Sequence, residues 1–443
     1  MAKIAGLQFN LINDTANGKN PLPFPVQTLL TDESPTLPED CISIRKGDSP
    51  DKLVHYMTKT GVWNTIQDES EFFKDRLFLS AHLIQNPNLF FVKPTKEILA
   101  PTEDLIPGEK LISERRWKFR SSVQKHEVIN DIKSYLMKIP GAKGVAETAL
   151  IIAEELYTNA LFNAPFGDLN STLDRSTLVV LDPEMAVEII VGSTENRLFV
   201  GCIDSFGTLS CENLLERIYN GFNAGFNKSV NMEMGGAGIG VLRMVDLASD
   251  IYAIVERDKR TLIGCGFVLK RSSKKIRQTA KTFHFQSFQN IVSPSGVIRV
   301  ERRGPVVLLR ISGDIKADFP FAEIDLTDTK EIILDLRLLS QVDPQILRIP
   351  LEIFKNTPSI EKFNFEYVPH SILTSAIEMV QQSEEMGNLR SIALPFFCTE
   401  CKTSSIFFFS KCEVQMSGAQ EPRCSKCRKV MEPDEDARKL IQL

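Results

Sequence analysis

The sequence predicts an α+β, multidomain protein, and three observations carry that expectation. Long runs with helical spacing, KHEVINDIKSYLMKI and VAETALIIAEELYTNALFNAP, stand apart from strand-like runs joined by tight turns, AVEIIVGS, RLFVGCIDS and SDIYAIVERDKRTLIGCGFVLKR. Helices segregated against an antiparallel-looking sheet make an α/β sandwich. The chain has 443 residues, which at roughly 150 per domain predicts about three domains, or four if some are small. Two close-spaced cysteine pairs near the C-terminus add a metal-stapled tail.

Composition narrows the class. Hydrophobic residues make up 43% and charged residues 25%, too apolar for wholesale disorder. A net charge of -5 argues against a nucleic-acid binder that relies on a large basic surface. There is no apolar run near the ~20 residues a membrane span needs, and MAKIAGLQFNLINDTANGKN lacks a signal-peptide core. The expectation is a cytoplasmic protein with no membrane and no direct nucleic-acid partner.

The elements follow in order. Residues 1–112 alternate short apolar runs with helical ones: QTLLTDESP reads as strand and turn, DKLVHYMTKTGV and SEFFKDRLFLSAHLIQ as helices, and NLFFVKP as a strand ending at proline. A small α/β domain is expected there. Residues 113–275 hold the two long helices, separated by Pro140-Gly141, and the strand runs STLVVLD, AVEIIVGS, RLFVGCIDS and the later pair around ERDKR. The polar stretch RSSKKIRQTAKTFHFQSFQN reads as a linker to a third unit at 293–390. There VIRVERRGPVVLLRISGDI is a hairpin around RRGP, EIILDLRLL a buried strand, and ILRIPLEIFKN and HSILTSAIEMVQQ helices. Residues 393–443 carry the cysteine pairs.

Candidate chemistry gathers around three stretches. In EELYTNALFNA, Glu155, Asn159 and Asn163 recur at intervals of four, hence on one helical stripe. Carboxamide oxygens suit Mg²⁺, which keeps several waters and takes few protein ligands; a carboxylate beside them can serve as a general base. The bland alternative is a solvated helix face. In LFVGCIDSFG, Asp204 ends a strand and Gly207 lets a ligand approach the backbone. An ordinary Asp turn is the alternative. MGGAGIGVLRM then places Gly236, Gly238 and Gly240 ahead of a helix whose free N–H groups suit phosphate. It fails G-x-G-x-x-G, because position 241 is Val.

In this order and spacing the three stretches resemble the N box and the first two glycine boxes of the GHKL (histidine-kinase-like) ATPases, and within them the bacterial anti-sigma-factor serine kinases. The resemblance covers about 115–272. It implies ATP and Mg²⁺ as cofactors. Glu155 would be the catalytic base, Asn159 the Mg²⁺ ligand, Asn163 a neighbour of the phosphates and Asp204 the acceptor of the adenine amine. Gly207 would line the base, and Gly236, Gly238 and Gly240 would form the phosphate loop. Lys228, in the short lid segment, would contact the γ-phosphate. The sequence departs from the pattern at Phe206, where a glycine is usual, and at Cys265 in GCGF, where a threonine is common. The end of the first segment, FFVKPTKE, resembles the closing strand of a degenerate receiver domain; an α/β interaction domain is the competing reading. His126 lacks the proline and second helix of a phospho-acceptor hairpin and reads as a surface histidine.

The third unit resembles a STAS domain, the fold that such kinases regulate. Its usual acceptor serine is replaced by Pro344 after Asp343, with Ser340 out of register, so a docking module is implied. The tail gives Cys398, Cys401, Cys424 and Cys427 as C-x2-C-x22-C-x2-C, four thiolates for tetrahedral Zn²⁺ in a zinc ribbon. Cys41, Cys202, Cys211, Cys265 and Cys412 read as packed or unpaired thiols. Two functions are therefore expected in competition. One is an ATP-binding signalling regulator that phosphorylates or switches STAS or sigma-factor-like partners, as a homodimer if it follows the kinases it resembles. The other is a non-catalytic scaffold built on a relic ATPase domain.

Overall fold

The computed structural model describes residues 8–12, 25–29, 41–67, 72–101, 109–166, 177–185, 187–224, 237–269, 280–293, 296–315, 321–342, 348–382, 387–410, 422–424 and 426–433. They form mixed α/β structure in two compact units, residues 1–22 with 26–287 and residues 23–25 with 288–443. No helix among the described residues is long and apolar enough to cross a membrane.

The first unit begins with β1 (Gln8–Ile12), β2 (Pro25–Leu29), β3 (Cys41–Arg45), α1 (Pro50–Thr60), β4 (Asn64–Gln67), α2 (Phe73–Gln85), α3 (Leu89–Val92) and α4 (Pro94–Leu99). Proline in the first turn starts both α1 and α4, where its missing N–H costs nothing, and Gly61 at φ 72° ends α1. NLFFVKP is therefore helical and not the expected strand: Phe90 and Phe91 are buried in the short α3, and Pro94 opens the next helix. This removes the strand on which the receiver-like reading of FFVKPTKE rested.

There follow β5 (Ser113–Phe119), α5 (Lys125–Leu136), α6 (Ala146–Phe162), β6 (Val187–Ser193), β7 (Arg197–Asp204), α7 (Cys211–Ala224), α8 (Ala237–Leu247), β8 (Asp250–Glu256), β9 (Arg260–Val268) and β10 (Thr282–Val292). The expected strand STLVVLD is reduced to one bridge between Val180 and Ser121. The sheet order is β5-β6-β7-β9-β8-β10-β4-β3-β2-β1. Pairing is antiparallel from β5 through β9 to β8, as expected, and parallel across β2, β3 and β4. The second half of the expected linker is the buried strand β10, whose Phe283 and Phe285 are fully inside and whose Thr282–His284 pair with β4.

One face of the sheet packs on α5 and α6, with Ile152, Leu156 and Tyr157 against Ile189, Val200 and Phe267. The other meets the N-terminal helices: Arg197 reaches the Leu99 carbonyl, and a Cβ on Gly192 would run into the Thr95 side chain at 2.9 Å. Arg76 on α2 makes a buried, two-pronged ion pair with Asp250 on β8, its Nη2 2.7 Å from Oδ2. Helix α1 shares a core with α7, α8 and β10 through Leu53, Met57, Leu214, Val245 and Phe283. The expected break at 112/113 is thus not a break in packing.

In the second unit, β11 (Gly296–Arg303) pairs antiparallel with the end of β10 and with β12 (Val306–Ile315), around Gly304 at φ 56°. Then come β13 (Glu331–Val342), α9 (Arg348–Lys355), β14 (Lys362–Glu366), β15 (Val368–Pro369), α10 (His370–Gln381) and β16 (Gly387–Leu389), with β12, β13, β14 and β16 parallel. A small second sheet pairs β17 (Ser391–Cys398) with β18 (Thr403–Ser410), β15 and β19 (Glu432–Pro433). Both sheets feed one core, in which Phe363 and Ile372 are clustered with Leu394, Cys398, Cys424 and Met431. Asp343 and Pro344 lie outside the described residues.

Candidate functional site

Two sites emerge, a pocket in the first unit and a sulfur cluster in the second. The pocket is built on α6. Its four-residue spacing aligns Glu155, Asn159 and Asn163, and the Asn163 amide donates to Asn159 Oδ1 at 2.8 Å, which fixes the orientation of both carboxamides. Asn159 and Asn163 line the pocket together with Asp204 at the end of β7 and Thr261 on β9. Leu214 from α7 and Val241 from α8 supply apolar walls.

Asp204 is 5% exposed, and burial pushes its carboxyl up from 3.8 to about 6, against the opposing pull of the Phe206 and Gly207 backbone N–H groups. The Phe206 N–H donates to Oδ1 at 3.0 Å. Gly207 has φ 65°, and a side chain there would collide with the Glu256 carbonyl and the Lys259 amide. The glycine is needed to close the turn, and Asp258 N–H donates to its carbonyl at 3.2 Å. Phe206, where a glycine was expected, needs no such freedom.

Thr261 stands directly across the β7–β9 ladder from Asp204. It is 2% exposed, lines the pocket, and its hydroxyl hydrogen-bonds the Asp204 carboxylate, which partly offsets the effect of burial on that group. Sequence reading missed this residue by looking at GCGF. Cys265 instead pairs with Val200 in mid-strand, fully buried, its thiol pushed well above the ordinary range by burial. Gly264 and Gly266 serve packing, against the Phe199 ring and the Asp250 side chain. Cys202 and Cys211 are buried as well, in keeping with packed thiols.

Glu155 lies at the other end of the α6 stripe, under the first turn of α8. A Cβ on Gly240 would sit 2.5 Å from its Oε2, so a side chain there would displace the Glu155 carboxylate. Gly238 falls in the same helical turn. Arg243, a second residue the sequence reading passed over, sits one turn further on with Nη1 3.6 Å from Glu155 Oε1. Gly236 and Lys228 lie outside the described residues. The structure therefore brings together Asn159, Asn163, Asp204 and Thr261 in one pocket, and Glu155 with Gly240 beside it. An apolar slot with a carboxylate and a hydroxyl at one end, and carboxamides along one wall, can take a flat polar ring that donates hydrogen bonds.

In the second unit the thiols of Cys398, Cys401, Cys424 and Cys427 all lie within 4.8 Å of one another, and Cys398 Sγ is 3.5 Å from Cys427 Sγ. A tetrahedral ion with M–S bonds of ~2.3 Å needs sulfurs about 3.8 Å apart, so the donor set fits a metal such as zinc. Two like-built turns hold it. The residue after each second cysteine, Lys402 and Arg428, has positive φ, 52° and 63°. Backbone N–H groups point at sulfur: Cys401 N–H lies 3.4 Å from Cys398 Sγ, and those of Cys427 and Lys426 hold the Cys424 thiol down to about 6. Lys429 pairs with Glu400 across the two turns.

No known protein-family model matches the chain, and no curated protein matches it.

Proposed function

We propose that the first unit is a GHKL-type, magnesium-dependent ATP site and that the protein is a cytoplasmic signalling regulator related to the anti-sigma-factor serine kinases. One observation carries the reading: the pocket joins Asp204, Thr261 and the Asn159–Asn163 pair, which lie far apart in sequence. On this reading the ionised Asp204, supported by the Thr261 hydroxyl, accepts the adenine amine. Mg²⁺ bound through Asn159 and the phosphates would offset charge on the transferring phosphoryl group. The phosphates would lie toward the first turn of α8, where the helix dipole favours anions. Glu155 takes the proton of an attacking serine hydroxyl as its oxygen bonds to the γ-phosphorus and ADP departs. Pro344, in place of an acceptor serine in the STAS-like unit, favours a separate STAS or sigma-factor-like partner. The four cysteines would hold structural Zn²⁺, since an all-thiolate site leaves no open position.

Isothermal titration of the full chain with Mg-ATP tests the site. Binding is expected for the wild type, with a loss of tenfold or more, on the order of a charge-assisted hydrogen bond, for Asp204→Asn. No heat from the wild type overturns the reading. Transfer of labelled phosphate to a STAS partner by the wild type, lost in Glu155→Ala, separates a kinase from a scaffold that only binds nucleotide.

A further inference from the structure

Glu155 and Arg243 face each other where α6 meets α8. Gly240 and Arg243 are three residues apart and so share a face of α8, and that face is the one laid against the Glu155 carboxylate. The pair is loosely made. Its separation of 3.6 Å is long, the Arg243 side chain is 54% exposed while that of Glu155 is 17% exposed, and half-exposed pairs of this kind contribute little. Glu155 is also one turn from Asn159 on the α6 stripe, at the end away from Asn163. The guanidinium thus stands beside α8's first turn, next to the residues that the nucleotide reading assigns to the phosphate end.

We propose that Arg243 senses the terminal phosphate: it rests on Glu155 without nucleotide or with ADP, and moves to the γ-phosphoryl group when ATP binds. The inference rests on the nucleotide reading above. A carboxylate at 3.6 Å offers the guanidinium a contact longer than a hydrogen bond. A terminal phosphoryl group offers more negative charge and several oxygens matched to the planar fork of donors. The exchange leaves Glu155 without its cation, beside the phosphoryl group, when there is a phosphoryl group to transfer. Exposure of Arg243 makes the movement cheap, because no packing has to open.

The test measures two affinities on the full-length chain by titration with Mg²⁺ present, one for ADP and one for adenosine β,γ-imidotriphosphate. Arg243→Gln is expected to weaken the imidotriphosphate about tenfold, the usual scale of a charged hydrogen-bond pair, with ADP affinity unchanged. Arg243→Lys, which keeps the charge and loses the fork, recovers part of the difference. An unchanged ratio of the two affinities in Arg243→Gln overturns this proposal alone. A wild type that binds neither ligand overturns the nucleotide reading and this proposal with it.

Discussion

At the scale of single residues, Asp204 would, on the nucleotide reading proposed above, set the balance between stability and binding. Its carboxyl is pushed from 3.8 to about 6 by burial, so the ionised form is disfavoured in the folded chain. An acid with a raised folded-state pKa lowers stability fully above about pH 6, and that penalty fades as pH falls toward 3.8. The shift corresponds to about 3 kcal/mol, good to a factor of two. Asp204→Asn, which cannot ionise, is therefore expected to melt at a higher temperature than the wild type at pH 7.5 while binding Mg-ATP more weakly. A lower melting temperature would contradict the burial argument. The same value predicts that ATP affinity drops about tenfold between pH 7 and pH 5, as the acceptor for the amine becomes protonated. A flat titration series would remove Asp204 from adenine recognition. Glu155, Asn159, Asn163 and Asp204 were legible because helical spacing and a strand end are local patterns. Thr261 was not, because only the β7–β9 register, a long-range pairing, places it opposite Asp204.

At the scale of elements, the sequence told helix from strand well where periodicity was long, as in α5, α6 and the β8–β9 hairpin. It failed on short apolar runs. NLFFVKP has strand-like composition, yet burial of adjacent phenylalanines and a proline start favour two short helices. RSSKKIRQTAKTFHFQSFQN reads as a polar linker by composition, yet its alternation of Phe283 and Phe285 with His284 and Gln286 has the period of a strand. Between elements, the Arg76–Asp250 pair ties α2 to β8. Burial raises the Asp250 carboxyl, but the Arg76 guanidinium outweighs burial and holds it below the ordinary range. Removing one partner of such a pair leaves a buried charge alone and costs about 3–5 kcal/mol. Arg76→Met is expected to lower the unfolding free energy by that amount in urea titration. Because a depressed carboxyl stabilises above its unfolded value, the deficit shrinks as pH falls below about 3.8. A variant within about 0.5 kcal/mol of wild type, the range of ordinary surface changes, would show the clamp to be dispensable.

At the scale of the whole molecule, composition and length pointed to several domains but could not show which segments share a core. Among the described residues, β1–β4 continue the sheet of 113–275 through β10, α1 shares a core with α7 and α8, and Cys398 and Cys424 are packed into the hydrophobic cluster of the third segment. Contacts of that kind join residues far apart in sequence, so no local pattern carries them. The shared core gives metal removal a definite reach. Cys398 and Cys424 are buried in the same cluster as Leu394, Phe396, Ile372 and Phe363, and thiolates gathered within 4.8 Å repel one another once an ion is withdrawn. Chelation, or Cys424→Ser, is therefore expected to speed amide exchange in β17 and β18 and also in β14 and α10, which hold no cysteine. If the four cysteines hold zinc as proposed, metal analysis of the same samples should read one zinc per chain before treatment and none after it. Faster exchange confined to 398–427 would mean that the cysteine turns are an independent staple, and that the core around Phe363 stands without them.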